Sequence, residues 1–232
     1  MIECLVGSEM CIRDSFSESQ KNNIEKAYQK LCEKYEMEEV DVAIRSSAIA
    51  EDLPNASFAG QQDTYLNVKG IDAVLYNIKK CFASLFNTRA LSYRYSQNID
   101  IEDVKISVAV QKMVRSDIGS AGVAFSLDPE TGFNKAIVIN SSFGLGELVV
   151  SGGVKPDEII CDKRTLKQID ADPIIMKKMG NKDSKIVYEK NGGTMDVETS
   201  RIERINFSIE NTQSVNLARY VMILEEEYKV LL

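Results

Sequence analysis

Arg45 has the least ordinary neighbourhood of any cation in this chain. It follows an alternating apolar stretch, Val40, Val42 and Ile44. It precedes Ser46-Ser47-Ala48, which open a loop crowded with small residues: Ala50, Ala56, Ser57, Ala59 and Gly60. A packed core gains little from so many small side chains. Small residues do let backbone N–H groups come close to a polyanion. A guanidinium held at the end of a buried strand adds fixed donors for that anion, and the hydroxyls of Ser46 and Ser47 can share it. Taken alone, a strand-end arginine is more often a structural ion-pair partner. Three further groups have side chains suited to chemistry. Gln111-Lys112-Met113 ends an alternating run, where backbone groups can read a flat ring, although Met113 alone reads as core or edge filler. Arg89 and Arg94 fall on a helical stretch, where they read equally as surface charges or as ties to the loop. Glu147, in Gly144-Leu145-Gly146-Glu147, either orients a basic group or a metal, or stabilises a turn.

The composition limits what these groups can do. The 232 residues contain no histidine. This rules out a Ser-His-Asp triad, an HExxH zinc helix and a phosphohistidine carried on this chain. Chemistry must rest on carboxylates, Arg, Lys, backbone N–H groups or a metal ion. The net charge of −7 with scattered basic residues argues against nucleic acid as a partner. No apolar run approaches the ~20 residues of a membrane span. Five cysteines, an odd number without CxxC spacing, read as reduced thiols of a cytoplasmic protein. Familiar phosphate loops are missing. There is no G-x-x-x-x-G-K-[ST], and the glycines at 144 and 146 do not extend to G-x-G-x-x-G because residue 149 is Val.

The elements that must position these residues alternate between helical and strand-like patterns. Ser17 and Gln20 form a capping box, followed by Ile24, Tyr28, Leu31 and Tyr35 at helical spacing. A strand is expected over 40–45, then the small-residue loop, then a strand over 64–68. Ile71, Val74, Leu75, Ile78, Phe82, Leu85 and Phe86 share one helical face. Thr88 is placed to cap a helix over 89–96. Residues 106–114 and 120–127 read as strands paired with each other. The Asp-Pro-Glu-Thr-Gly turn after Leu127 leads into a strand over 136–139. Asn191-Gly192-Gly193 marks a hairpin turn. From Ser208 onward the pattern is helical, with Leu217, Val221, Leu224 and Tyr228 on one face. The mixture predicts an α+β class.

The run Val42–Val68, VAIRSSAIAEDLPNASFAGQQDTYLNV, together with Val110–Val114, VQKMV, resembles the ATP-binding domain shared by phosphoenolpyruvate synthases, pyruvate phosphate dikinases and rifampin phosphotransferases. The resemblance is specific over 41–163 and weaker to 228. It implies an ATP-grasp-like fold of mixed sheets with flanking helices, with ATP and Mg²⁺ as cofactors. It implies that Arg45, Gly60, Thr64 and Arg89 bind phosphates, with Ser46, Ser47 and Glu147 as further candidates. It implies that Gln111, Lys112 and Met113 form the adenine hinge. No catalytic or metal-binding residue is expected here. The implied reaction forms phosphoenolpyruvate, AMP and phosphate from ATP, pyruvate and water, through a phosphohistidine on another domain. Pyruvate and phosphohistidine domains are the implied partners. The ATP-binding domain of a rifampin phosphotransferase is the alternative; a third is a fragment that binds nucleotide weakly and catalyses nothing.

Departures from the family pattern shape the expected domain organisation. The family's GGK-x-x-N-L motif, whose Lys binds phosphates, is missing. Residues 1–15 stand in its place, and Glu9–Ser15 resembles a translated sequencing-library adaptor. They are expected to be a non-native leader, with 16–232 a partial ATP-grasp-like domain truncated at both ends. The family's D-I-E-W and L-Q-x-R segments, which supply a metal-binding Glu and a Gln-Arg pair, are also absent.

Overall fold

The computed structural model describes residues 16–48, 52–53, 56–57, 64–97, 106–168 and 171–229. The suspected leader, Gly60 and most of the small-residue loop lie outside them. The chain divides into two compact units, Met1–Val114 with Glu189–Gly193, and Arg115–Tyr188 with Thr194–Leu232. Several antiparallel sheets with flanking helices make the whole a mixed α/β protein. Among the described residues, no helix is long and apolar enough to cross a membrane.

In the first unit, α1 (Glu18–Lys34) begins at the expected capping box of Ser17 and Gln20. Strand β1 (Val42–Ala48) follows. The two-residue strands β2 (Asp52–Leu53) and β3 (Ala56–Ser57) pair with each other. Next come β4 (Thr64–Val68), α2 (Ile71–Ala83), α3 (Thr88–Gln97) and β5 (Ile106–Lys112). The sheet order is β4-β1-β5, all antiparallel, with β1 central. Val42 and Ile44 are fully buried against Tyr28, Val74, Ile78 and Cys81. Each such aliphatic side chain contributes about 1.5–3 kcal/mol by leaving water. The Tyr28 hydroxyl donates to Val40 O (2.8 Å) and accepts from Gly70 N–H (3.1 Å), joining α1 to the sheet and to the start of α2. Burial of that ring raises the hydroxyl's pKa above its ordinary value. Asn67, buried at φ +53°, donates to the carbonyls of Glu189 and Gly193 (2.8 Å each), which brings that turn into this unit.

Several expected details differ. Strand β1 runs three residues past Arg45, because Ser46, Ser47 and Ala48 pair with Val108, Ser107 and Ile106. Small residues lose nothing in a strand whose ladder bonds are complete. Helix α3 is capped by Asn87, whose Oδ1 accepts from Ala90 N–H (2.7 Å); Thr88 is the first helical residue instead. On α2 only Val74, Ile78 and Cys81 are buried, whereas Phe82, and Phe86 in the 3-10 turn just beyond the helix, stay more than a third exposed.

The second unit is built on β6 (Ser120–Phe125), β7 (Ala136–Phe143), β8 (Asp157–Asp162) and β9 (Ile174–Lys178), a continuous antiparallel sheet. Strand β6 therefore pairs with β7, while β5 pairs with β1, and the expected pairing of 106–114 with 120–127 does not form. Short helices α4 (Glu147–Ser151) and α5 (Lys163–Leu166) flank β8. The hairpin β10 (Ser184–Tyr188) with β11 (Thr194–Glu198) forms as expected, followed by α6 (Arg201–Ile205) and α7 (Asn211–Tyr228). Helix α7 packs Ala218 and Val221 on Ile137, Ile139, Ile159 and Cys161. Its expected apolar face survives only at Val221; Leu217, Leu224 and Tyr228 are exposed.

A buried ion pair organises this unit. Asp157 and Lys182 are both fully buried and meet at 2.5 Å. Asp157 Oδ1 also accepts from Gly180 N–H (2.9 Å), and its Oδ2 accepts from Ser208 N–H (2.7 Å). Lys182 Nζ donates additionally to Gly180 O (3.1 Å). With its partners satisfied, the pair ties β8 to the 180–182 loop and to the entry of α7. Removing one charge strands the other, so Asp157→Ala and Lys182→Met should each cost about 3–5 kcal/mol. The double variant should lose less than the sum of the two. Urea unfolding of the three variants checks this; additive losses would mean that the pair is not coupled.

Candidate functional site

The face of the first sheet away from its helix-packed core brings together three of the residues that the sequence singled out, Arg45, Thr64 and Gln111. Directly paired residues of an antiparallel sheet share a face. Arg45 pairs with Thr64 on one side and with Ala109 on the other, and Gln111 pairs with Ala43. Val42, Ile44, Val108 and Val110 occupy the opposite face, packed on the helices. Arg45, Thr64, Ala109 and Gln111 are all exposed. Cross-strand neighbours stand about 5 Å apart at Cβ, so Arg45 and Thr64 can grip one group together. Arg45 forms no ion pair among the described residues. An exposed guanidinium in mid-strand, beside a hydroxyl and above a floor of alanines, is a donor array suited to an oxyanion.

The alternation that collects these residues separates others. Ser46, half-buried opposite Val108, falls on the helix side of the sheet. Ser47 pairs with Ser107 through its backbone, and its side chain lies outside the described residues. Gly60 also lies outside them. Arg89 belongs to α3, with its side chain likewise not described. Glu147 is exposed in the first turn of α4, in the second unit, where a carboxylate suits the helix N-terminus. Of the glycines before it, Gly144 serves packing. A Cβ on Gly144 (φ +80°) would stand 2.6 Å from Ile186 O.

Gln111, Lys112 and Met113 do not act alike. Gln111 faces the open side, while Met113 is buried. Lys112 lies on the helix side. Its Nζ donates to Met113 O (3.3 Å), sits 3.8 Å from Asp41 Oδ1 and lies 5.1 Å from the centre of the Tyr35 ring. Met113 N–H donates to Asp41 O (2.9 Å). That bond sets the phase of the ladder. The odd residues of β5 turn their N–H and C=O toward β1, and the even ones, Lys112 among them, turn theirs outward along the sheet edge. Among the described residues β5 pairs on one side only.

Sequence reasoning missed Asp41, a carboxylate with 5% exposure whose Oδ2 has no hydrogen-bond partner among the described residues. It also missed Ala43 and Ala109. Their signal was present, since small or polar residues alternate with valine and isoleucine in both β1 and β5. Among the described residues no group of three or more Asp, Glu or Cys side chains is placed to hold a metal ion.

Comparison with known proteins points one way. A profile of the family described as "Pyruvate phosphate dikinase, AMP/ATP-binding domain" matches residues 8–232. The phosphoenolpyruvate synthase of Helicobacter pylori is 48% identical over 223 residues, 95% of this chain and 27% of that protein. That of Aquifex aeolicus is 51% identical over 206 residues, 87% of this chain and 24% of that protein. That of Escherichia coli is 44% identical over 217 residues, 92% and 27% respectively. The chain thus spans about a quarter of the length of the relatives it matches.

The different settings of Gln111 and Lys112 separate their effects on stability. Lys112→Met leaves Asp41 buried without its cation and should cost about 1–3 kcal/mol. Gln111→Ala, on the exposed face, should stay within about 0.5 kcal/mol of the parent. Urea unfolding of the two variants distinguishes them, and equal losses would contradict the placement of Lys112.

Proposed function

The chain belongs to the pyruvate phosphate dikinase AMP/ATP-binding domain family, and on that premise we propose that it is the ATP-binding domain of a phosphoenolpyruvate synthase with an ATP-grasp-like fold. The observation that carries the proposal is Arg45, exposed beside Thr64 on the face of the sheet opposite its helix-packed core. The relatives above are phosphoenolpyruvate synthases, which favours the synthase over a rifampin phosphotransferase.

In this reading the guanidinium of Arg45 clamps the ATP phosphates, with the Thr64 hydroxyl beside it and Gly60 and Arg89 completing the phosphate site. Adenine lies along the outer edge of β5. There the N–H and C=O of Lys112 supply a donor and an acceptor, Gln111 borders the ring, and buried Met113 is part of the floor. The Lys112 ammonium holds the hinge in place by gripping Met113 O and Asp41. Phosphoryl transfer needs little covalent help from the protein, so positioning and charge neutralisation are this domain's contribution. Mg²⁺ would arrive on the nucleotide, held chiefly by phosphate oxygens and water. The described residues gather no metal-binding cluster.

The whole enzyme would convert ATP, pyruvate and water to phosphoenolpyruvate, AMP and phosphate. The chain has no histidine, so the phosphohistidine would lie on another domain of the longer polypeptide, and the family resemblance implies a pyruvate site on a further domain.

Two measurements test the proposal. Arg45→Ala should weaken ATP binding roughly ten-fold or more in titration calorimetry, as expected for a charged hydrogen bond worth about 1.5–3 kcal/mol. Arg45→Lys should recover only part of it, lacking the planar fork. Unchanged affinity in the alanine variant would make Arg45 a structural residue. Separately, the 232-residue chain incubated with ATP, Mg²⁺ and pyruvate should release no AMP above background. Sustained pyruvate-dependent AMP release would place the catalytic groups within this chain.

A further inference from the structure

The second unit carries a cationic pocket of about 650 Å³ that the nucleotide reading does not use. Three elements build it: the turn before β7, helix α5 and the last turns of α7. Its walls carry five cations, Lys135, Lys163, Arg164, Lys167 and Lys229, against two carboxylates, Glu225 and Glu226. This is a local reversal of sign in a chain whose net charge is −7.

The carboxylates are already engaged. Lys163 Nζ, largely buried, meets both oxygens of Glu225 at 2.9 and 2.6 Å and forms a fixed polar wall. Glu226 lies 3.7 Å from Lys167, both well exposed. Lys135 and Lys229 are exposed and form no ion pair among the described residues. Arg164 has only a 3.5 Å approach to Asp162, with its side chain 83% exposed. Backbone amides are not the attraction. Asp162 Oδ2 already caps α5 through Thr165 N–H (2.9 Å) and Oγ1 (2.7 Å), bonds that hold its carboxyl below the usual carboxylate range. Any anion here is therefore held by side chains.

Lys135 is fixed relative to the helix because its carbonyl accepts from Lys163 N–H (3.0 Å). The concavity lies within the range of about 300–1,000 Å³ typical of small-molecule sites. Three loosely neutralised cations match two or more negative charges on a compact ligand. An extended acidic chain would instead need a long basic stripe. We propose that this pocket is a second anion site that takes a small phosphorylated molecule, held by Lys135, Arg164 and Lys229.

The test uses inorganic pyrophosphate as probe, titrated by calorimetry into the 232-residue chain carrying Arg45→Ala, so that the first unit's site contributes least. Saturable binding is expected, weakening as salt is raised. Adding Lys135→Ala and Lys229→Ala should weaken it about ten-fold or more, while Lys135→Arg with Lys229→Arg should retain it. Both lysines are exposed, and circular dichroism should show an unchanged fold. Absence of saturable binding would overturn the proposal, as would binding that the double alanine variant leaves unchanged. The result is independent of whether Arg45 binds ATP, because that is read from ATP affinity and this from the two lysines.

Discussion

The period-two alternation of strand β1 is the constraint on which the first unit depends. Val42 and Ile44 enter the helix-packed core, and Arg45 consequently emerges on the other face. Pairing on both sides leaves β1 no freedom to shift, and a slip of one residue would drive the guanidinium into the core. The same pairing presents Thr64 and Gln111 on the face of Arg45. One register thus satisfies the packing of the core and sets which polar side chains share the opposite face.

The second unit is held differently. Its sheet is a simple antiparallel series, but its loops converge on the buried Asp157–Lys182 pair. A charge pair without water is poor at adding stability and good at penalising alternatives, because each wrong arrangement strands an ion. Close backbone approaches narrow the choice further. A Cβ on Gly122 would stand 2.0 Å from Asn140 O across the β6–β7 ladder, so only glycine fits there. These constraints fix where β8, the 180–182 loop and the start of α7 meet.

Charge is distributed unevenly over this architecture. The pocket beside α1, by contrast, is lined by five glutamates, including Glu25, Glu33 and Glu39. The acidic excess of the chain therefore coexists with a place where cations predominate, the pocket around Lys135 and Lys229. Electrostatic focusing makes local concentration matter more for anion binding than the net value does.

The residues by themselves determined a good deal. Local signals were sufficient for the capping box at Ser17, strand β4 and the hairpin at Asn191-Gly192-Gly193, because each depends on neighbours within a few positions, and composition alone excluded histidine chemistry on this chain. The family resemblance of the segment around Arg45 was also legible, since it lies in contiguous sequence, although the strand there runs on to Ala48 where a loop was expected. Tertiary structure alone decided which strands pair. Residues 106–114 and 120–127 look like partners, yet β5 joins β1 across more than fifty residues. Pattern does not encode that choice, because any two alternating strands satisfy it locally. Tertiary structure also split Gln111 from Lys112, which periodicity alone cannot orient until a partner strand and a helix layer define inside and outside. The Asp157–Lys182 pair was invisible for the same reason. Two isolated charges 25 positions apart carry no sign that folding will bury them together.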